Sequence, residues 1–306
     1  MPSPGARLRR SWAERPIMIP GVFNALTARM AERLGFAAVY LSGGALSAGW
    51  AGVPDIGLLT LPEFAEQAAV LARATSLPLL CDADTGFGEA INVERTVRLY
   101  EGAGAAGLHI EDQVMPKRCG HLSGKSLIDP EAMAAKVRAA VASRRDPDFV
   151  IVARTDARSV EGYDAAVARA RAYLAAGADM IFPEALESAE EFARFARDVP
   201  APLLANMTEF GRSPLLDFDQ LAALGYRAAL YPLTAFRAAM RTAGETLQLL
   251  RDSGSQRGAL GRMQTRAELY DLIDYSDWEA RDRSYFGSAD GSGGPDAGPA
   301  SKPQGN

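Results

Sequence analysis

The chain has 306 residues and a formal net charge of −5, with 48% of residues hydrophobic and 23% charged. That composition supplies a sizeable apolar core, and the acidic balance argues against a general nucleic-acid binder while leaving room for a local basic pocket that takes a small anion. No run approaches the roughly 20 apolar residues of a membrane span, and two cysteines, Cys81 and Cys119, make no disulfide framework but suit a reducing cytoplasm.

Residues 1–15 carry several arginines but no apolar signal core, and they predict an arm with an amphipathic helix. A first apolar run, 16-PIMIPGVFN-24, follows. Four later phrases resemble one another: 34-LGFAAVYLSGG-44, 103-AGAAGLHIEDQ-113, 176-AGADMIFPEA-185 and 224-LGYRAALYPL-233. In each, a glycine (Gly35, Gly104, Gly177, Gly225) stands where a helix should end in a left-handed residue. Apolar residues come next, as in a strand buried on both faces of a parallel sheet. Three further runs of that kind, 77-LPLLCDADTGFG-88, 148-DFVIVARTDA-157 and 202-PLLANMTEFG-211, lie between these phrases.

Helical spacing separates the runs: Met133, Val137, Ala140 and Val141 in one segment, Val167, Ala170 and Leu174 in another. Eight β-then-α units predict a (β/α)8 barrel, TIM-barrel-like, rather than a doubly wound sheet. The barrel domain is expected over residues 16–286, with extra C-terminal helices after about residue 234. Residues 287–306, rich in Gly, Pro and Ser, are expected to be a disordered tail.

In such a barrel the active site forms at the C-terminal strand ends. The polar residues there are Ser42, Gly43, Gly44, Asp82, Asp84, His109, Glu111, Asp112, Arg154, Asp156, Glu184, Asn206 and Thr208. So many carboxylates around one arginine repel one another unless a cation or cationic side chains sit among them. Asp82 and Asp84, two apart on a strand, are expected on one face and can offer a hard divalent cation two oxygens. They can equally end a strand and cap a helix. Cys81 is expected to point outward as core filler, and His109 to be a satisfied core histidine.

The long loop 112-DQVMPKRCGHLSGK-125 reads as a lid. Its Cys119 lies among Lys117, Arg118 and His121, cations that favour a thiolate. Nucleophile and proton donor both remain open from these residues alone.

These motifs resemble the isocitrate lyase/phosphoenolpyruvate mutase superfamily over about residues 16–286. The resemblance is carried by YLSGG at 40, GVPDIG at 52, DADTGFG at 82, LHIEDQ at 108, KRCGH at 117 and ARTDA at 153. FPEA at 182, ANMTEFG at 205, YPLTAFR at 231 and MQTRAELY at 263 continue it. The later segments resemble the branch that cleaves 2-methylisocitrate to pyruvate and succinate. Thr85 and Glu89 depart from the usual pattern.

The resemblance implies Mg2+ (or Mn2+) at Asp82 and Asp84, with Asp55 and Glu111 near it, partly through water. Ser42, Gly43, Gly44 and Arg154 would bind the pyruvate-forming end of a tricarboxylate. Gly120, Glu184, Asn206, Thr208, Arg237 and Arg266 would complete the pocket. Cys119 would protonate the departing succinate carbon, and Tyr40 or a metal-linked carboxylate would take the hydroxyl proton. Phe182, Pro232 and Leu233 are candidates for the wall around the methyl group. The family implies a cytoplasmic homotetramer with no nucleic-acid or membrane partner. The alternatives are a lyase for isocitrate or 2,3-dimethylmalate, an oxaloacetate decarboxylase or hydrolase, and a non-catalytic dicarboxylate-binding barrel.

Overall fold

Alternation along short apolar strands decides which residues point into a barrel and which toward its helices. A computed structural model of the chain describes residues 2–118, 120, 121 and 124–286. All eight predicted runs form strands: β1 (Ile17–Val22), β2 (Val39–Leu41), β3 (Leu79–Asp82), β4 (Gly107–Glu111), β5 (Val150–Thr155), β6 (Met180–Pro183), β7 (Leu204–Asn206) and β8 (Ala228–Tyr231). They pair in parallel in the order β6-β5-β4-β3-β2-β1-β8-β7, and an Ile181–Leu203 bridge joins the two ends. The four helix-ending glycines Gly35, Gly104, Gly177 and Gly225 have φ of 79°, 90°, 104° and 97°, the left-handed turn their spacing predicted.

Two cores result. Tyr40, Leu80, Val150, Val152, Met180, Phe182, Leu204 and Leu230 fill the barrel interior, together with Leu8 and Trp12 of the N-terminal helix Pro4–Glu14. That helix closes the end of the barrel where strands begin: Arg9 Nε donates to Asp148 O at 2.8 Å, just before β5. Leu41, Leu79, Cys81, Leu108, Ile110, Ile151 and Ile181 face the other way, against the surrounding helices. Cys81 is fully buried there, as its parity predicted, and burial pushes its thiol well up. The same parity turns Asp82, Glu111 and Arg154 inward at the far end.

The helix Pro130–Ser143 buries Met133, Val137 and Ala140 as expected. In Tyr163–Ala175, Val167 and Ala170 are buried as expected, but Tyr173 takes the next core position and Leu174 is half-buried. The reason is polar: Tyr173 Oη donates to the buried Asp112 Oδ2 at 2.8 Å.

The chain falls into two compact units, one up to Gly261 and one from Arg262. The second contains the helices Arg266–Leu272 and Tyr275–Tyr285, the first opened by a Thr265–Glu268 capping box. The tail expected over 287–306 lies outside the described residues. Among the described residues no helix is long and apolar enough to cross a membrane.

Candidate active site

One wall of the site is acidic. Asp82 ends β3 and is buried. Its Oδ2 accepts from Gly43 N at 3.0 Å and from Tyr40 Oη at 3.2 Å, and its Oδ1 accepts from Asp84 N at 3.0 Å. Gly43 is required for this approach, because a Cβ there would stand 2.7 Å from Asp82 Oδ2. Asp84 lies beyond the strand, with φ of +44°, so a tight turn rather than strand alternation brings it beside Asp82. Lys117 Nζ stands 2.8 Å from Asp84 Oδ1 and also pairs with Asp55.

The charges on this wall do not balance. Burial, with Asp82 and Asp55 nearby, pushes Asp84 up to about 7 in spite of Lys117. Burial works against Asp82 too, but His109, Lys117 and the Asp84 amide hold it at about 2. Glu111, at the end of β4, is pushed well up by burial although Arg154 Nη1 stands 3.2 Å from its Oε2. Its Oε1 is buried with no hydrogen-bond donor among the described residues. Such a surplus of buried oxygen charge suits an added hard cation. Among the described residues no group of three or more His, Cys, Asp or Glu is placed to hold a metal ion, so an ion here would rest on the Asp82–Asp84 pair and take its remaining ligands from water and substrate.

The opposite wall is built on Arg154. Its Nε and Nη2 donate to Asp156 Oδ2 and Oδ1 at 2.9 and 3.1 Å, a bidentate pair. Its guanidinium carbon lies 5.1 Å from the centroid of the Phe182 ring. Glu184 Oε2 is 3.5 Å from Arg154 Nε, and Glu184 also accepts from Asn206 Nδ2 at 3.3 and 3.2 Å. His121 Nδ1 accepts from Arg212 N at 2.9 Å, which leaves the ring proton on Nε2, 2.7 Å from Glu184 Oε1. Burial opposes ionisation of Glu184, but Arg154 and His121 hold it below the ordinary carboxylate range.

Between the walls is a cavity of about 70 Å3. Tyr40, Ser42, Gly44, Asp55, Asp82, Gly120, Arg154, Glu184, Asn206 and Thr208 line it, with Phe182, Leu230, Pro232 and Leu233 as its apolar side. Pockets for drug-sized ligands measure about 300–1,000 Å3, so this cavity is small for a tricarboxylate. Asp84 borders not this cavity but a second one of about 410 Å3, together with Thr85, Asn92, Arg95 and Met115. Of the two departures from the family pattern, Thr85 thus lines that cavity, and Glu89 caps the helix Ala90–Ala103.

Most site residues expected from the sequence therefore meet in one place. Cys119 lies outside the described residues. Arg237 is absent from the cavity wall: its Nη1 donates to Glu209 O at 2.8 Å and its guanidinium lies 5.2 Å from the Phe210 ring centroid. Arg266 opens a helix of the second unit. Lys117, Arg118 and His121 line the cavity as well. Their sequence signal was the cationic loop, and the expectation that they tune the Cys119 thiol falls on a residue outside the described ones. Two of them pair with buried carboxylates, Lys117 with Asp55 and Asp84, and His121 with Glu184. His109 is buried as expected, yet it is also part of the site floor, 2.7 Å from Tyr40 Oη.

The sequence and the fold match known proteins. The model of the phosphoenolpyruvate phosphomutase family matches residues 8–251. The chain belongs to that family. It is 54% identical over 280 residues to the 2-methylisocitrate lyase of Aeropyrum pernix, covering 91% of this chain and 90% of that one. To the 2-methylisocitrate lyase of Escherichia coli (strain K12) it is 49% identical over 281 residues, covering 91% and 95%. Among solved structures, 2,3-dimethylmalate lyase, a PEP mutase/isocitrate lyase superfamily member, is similar with a TM-score of 0.88 at 35% identity, over 96% of this chain and 99% of that one. Phosphonopyruvate hydrolase in complex with oxalate and Mg2+ gives a TM-score of 0.84 at 32% identity, over 93% and 100%. An enzyme of this family, the chain is similar over most of its length to carbon–carbon lyases, as its motifs implied.

Proposed function

We propose that the protein is a 2-methylisocitrate lyase, cleaving its tricarboxylate substrate to pyruvate and succinate. The observation that carries this reading is the cavity lined by Asp55 and Asp82 and by Arg154, with Asp84 beside Asp82 and with Asp156 and Glu111 holding Arg154 from behind. Relatives of that name at 47–54% identity support it. Asp82 and Asp84 would hold Mg2+ (Mn2+ shares its preference for oxygen ligands), with Asp55 and Glu111 beside them. Bound there, the ion would acidify the substrate hydroxyl and neutralise the adjacent carboxylate.

The chain's own residues do the rest. Arg154 uses three N–H groups on Asp156 and Glu111, which fixes its plane and leaves two to receive a substrate carboxylate. In the short turn Gly43–Leu46, Gly43 N donates to Asp82 and Ala45 N to the capping Ser42 Oγ, so the Gly44 N–H is the one that would serve the pyruvate-forming end. Tyr40 keeps its proton, since burial and Asp82 push its phenol well up, and it orients Asp82 as a donor. When a carboxylate of the acidic wall such as Glu111 takes the hydroxyl proton, the carbon–carbon bond breaks, a carbonyl forms on the pyruvate side and the electron pair of the broken bond stays on the succinate carbon as an aci-carboxylate. Asn206 and Thr208 are the donors available to that charge. Cys119 would then give its proton to the carbon and regain one from solvent. Phe182, Pro232 and Leu233 would enclose the methyl group, worth about 1–3 kcal/mol in an apolar pocket.

Met240, Leu247 and Leu250 are exposed on the helix Thr234–Ser253, which buries no residue. They support an assembly of several copies, a homotetramer by the family expectation, working in the cytoplasm. The test of function is pyruvate release, with and without Mg2+, from 2-methylisocitrate, isocitrate and 2,3-dimethylmalate. The expected result is a far higher kcat/KM on 2-methylisocitrate, abolished by chelation. A preference for either other substrate would reassign the specificity, and activity surviving chelation would remove the metal from the account.

A further inference from the structure

We propose that Gln113 and Lys125 are positioning residues that clamp the backbone of the active-site loop on both sides of Cys119. The proposal rests on the lyase reading above and adds the parts that fix the loop for it. The loop is gathered at its base by a short antiparallel pairing: Val114 N donates to Ser126 O at 2.8 Å, and Ile128 N to Asp112 O at 2.9 Å. Beyond that base the chain turns over the cavity with no further strand pairing among the described residues. Two buried side chains take over from there.

Gln113 is 1% exposed. Its Oε1 accepts from Arg118 N and its Nε2 donates to Arg118 O, both at 2.8 Å. A side-chain amide with one donor and one acceptor so placed substitutes for a neighbouring strand. On the far side, Lys125 Nζ donates to Gly120 O and to Asp156 Oδ1, the latter at 2.7 Å. Asp156 is fully buried and is the same carboxylate that holds Arg154 in a bidentate pair, and its own N–H donates to Asp112 Oδ1 at 2.9 Å. Arg118 and Gly120 are separated by one residue, Cys119.

The clamp therefore ties the peptide groups flanking the proposed acid to the group that orients the substrate-binding arginine. Leucine at 113 keeps the bulk and removes both bonds, and glutamate keeps only the acceptor for Arg118 N. Methionine at 125 keeps the length and removes the charge, and arginine restores it.

The test uses the full-length enzyme with Mg2+ and compares wild type with Gln113→Leu, Gln113→Glu, Lys125→Met and Lys125→Arg. Four quantities are read: kcat and KM on 2-methylisocitrate, the rate of tryptic cleavage after Arg118, and Tm. Loss of a buried bonded pair predicts that Gln113→Leu and Lys125→Met each lower kcat about tenfold or more with KM within about threefold. Cleavage after Arg118 accelerates in both while Tm stays near wild type. Gln113→Glu falls between, and Lys125→Arg recovers part of the loss. Wild-type kcat in both the leucine and methionine variants overturns the proposal, whether or not cleavage accelerates. If those variants fail to fold, Gln113→Glu decides: a folded protein with wild-type kcat and cleavage rate overturns it too. If wild type itself releases no pyruvate, the lyase reading falls, and the cleavage rates alone decide whether the clamp holds the loop.

Discussion

Replacing Gly120 by alanine adds one carbon at the most crowded point of the site. That carbon would stand 2.4 Å from Arg154 Nη2, 2.5 Å from Glu184 Cγ and 2.7 Å from Glu184 Cδ. Comfortable contact between such atoms begins near about 3.5 Å, so the overlap is about 1 Å on two sides at once. Arg154 is the softer neighbour, because Glu184 is buried and already tied to Asn206 and His121. A displacement of about 1 Å carries the Nη2–Asp156 contact from 3.1 Å past hydrogen-bond range. Losing one charge-assisted bond costs about 1.5–3 kcal/mol, or about 10- to 150-fold in kcat/KM if Arg154 receives a substrate carboxylate. If the loop lifts instead, the Lys125 contact to Gly120 O breaks and activity falls by that route. Steady-state kinetics on Gly120→Ala, with a thermal melt to confirm folding, check this. A folded variant with kcat/KM within about twofold of wild type would refute the packing argument and the role given to Arg154.

Gly43→Ala places a Cβ 2.7 Å from Asp82 Oδ2, so the Mg2+ concentration for half-maximal activity should rise about tenfold or more as the pair is disturbed; a Mg2+ titration reads it. Leu8→Ala removes a fully buried side chain from the closed end of the barrel, with an expected loss of about 2–5 kcal/mol in chemical denaturation and unchanged kcat per folded molecule. Hydrogen bonds from Arg158 hold Glu191 below its ordinary range against modest burial. Because the folded value is the lower one, its stabilisation is complete above the unfolded pKa near about 4.3 and is lost as pH falls through the folded value. Glu191→Gln should therefore lower Tm at neutral pH, by no more than about 1 kcal/mol of stability at so accessible a site, and the difference should vanish in acid.

The barrel was legible because parallel strands buried on both faces leave continuous apolar runs, and because glycine marks the left-handed end of a helix. Parity then placed Cys81 outward and Asp82 inward correctly. It failed at Asp84, where β3 stops at Asp82 and a left-handed turn replaces the next strand residue. Tyr173 was missed for a similar reason: helical periodicity counts apolar positions, and here a hydroxyl bond to Asp112 places a tyrosine in the core. The partners of Lys117 and His121 were not readable either. Their charge was visible, but which carboxylates claim them depends on how a long loop folds back over strands far apart in sequence.

The most direct measurement is cleavage of 2-methylisocitrate in D2O with Mg2+, quantifying both products and their isotope content. The account predicts pyruvate and succinate in equal amounts, with a single deuterium on the succinate carbon released from the broken bond and none of that product from Cys119→Ser. Deuterium in the pyruvate methyl instead, unequal products, or unimpaired turnover in the serine variant would contradict it.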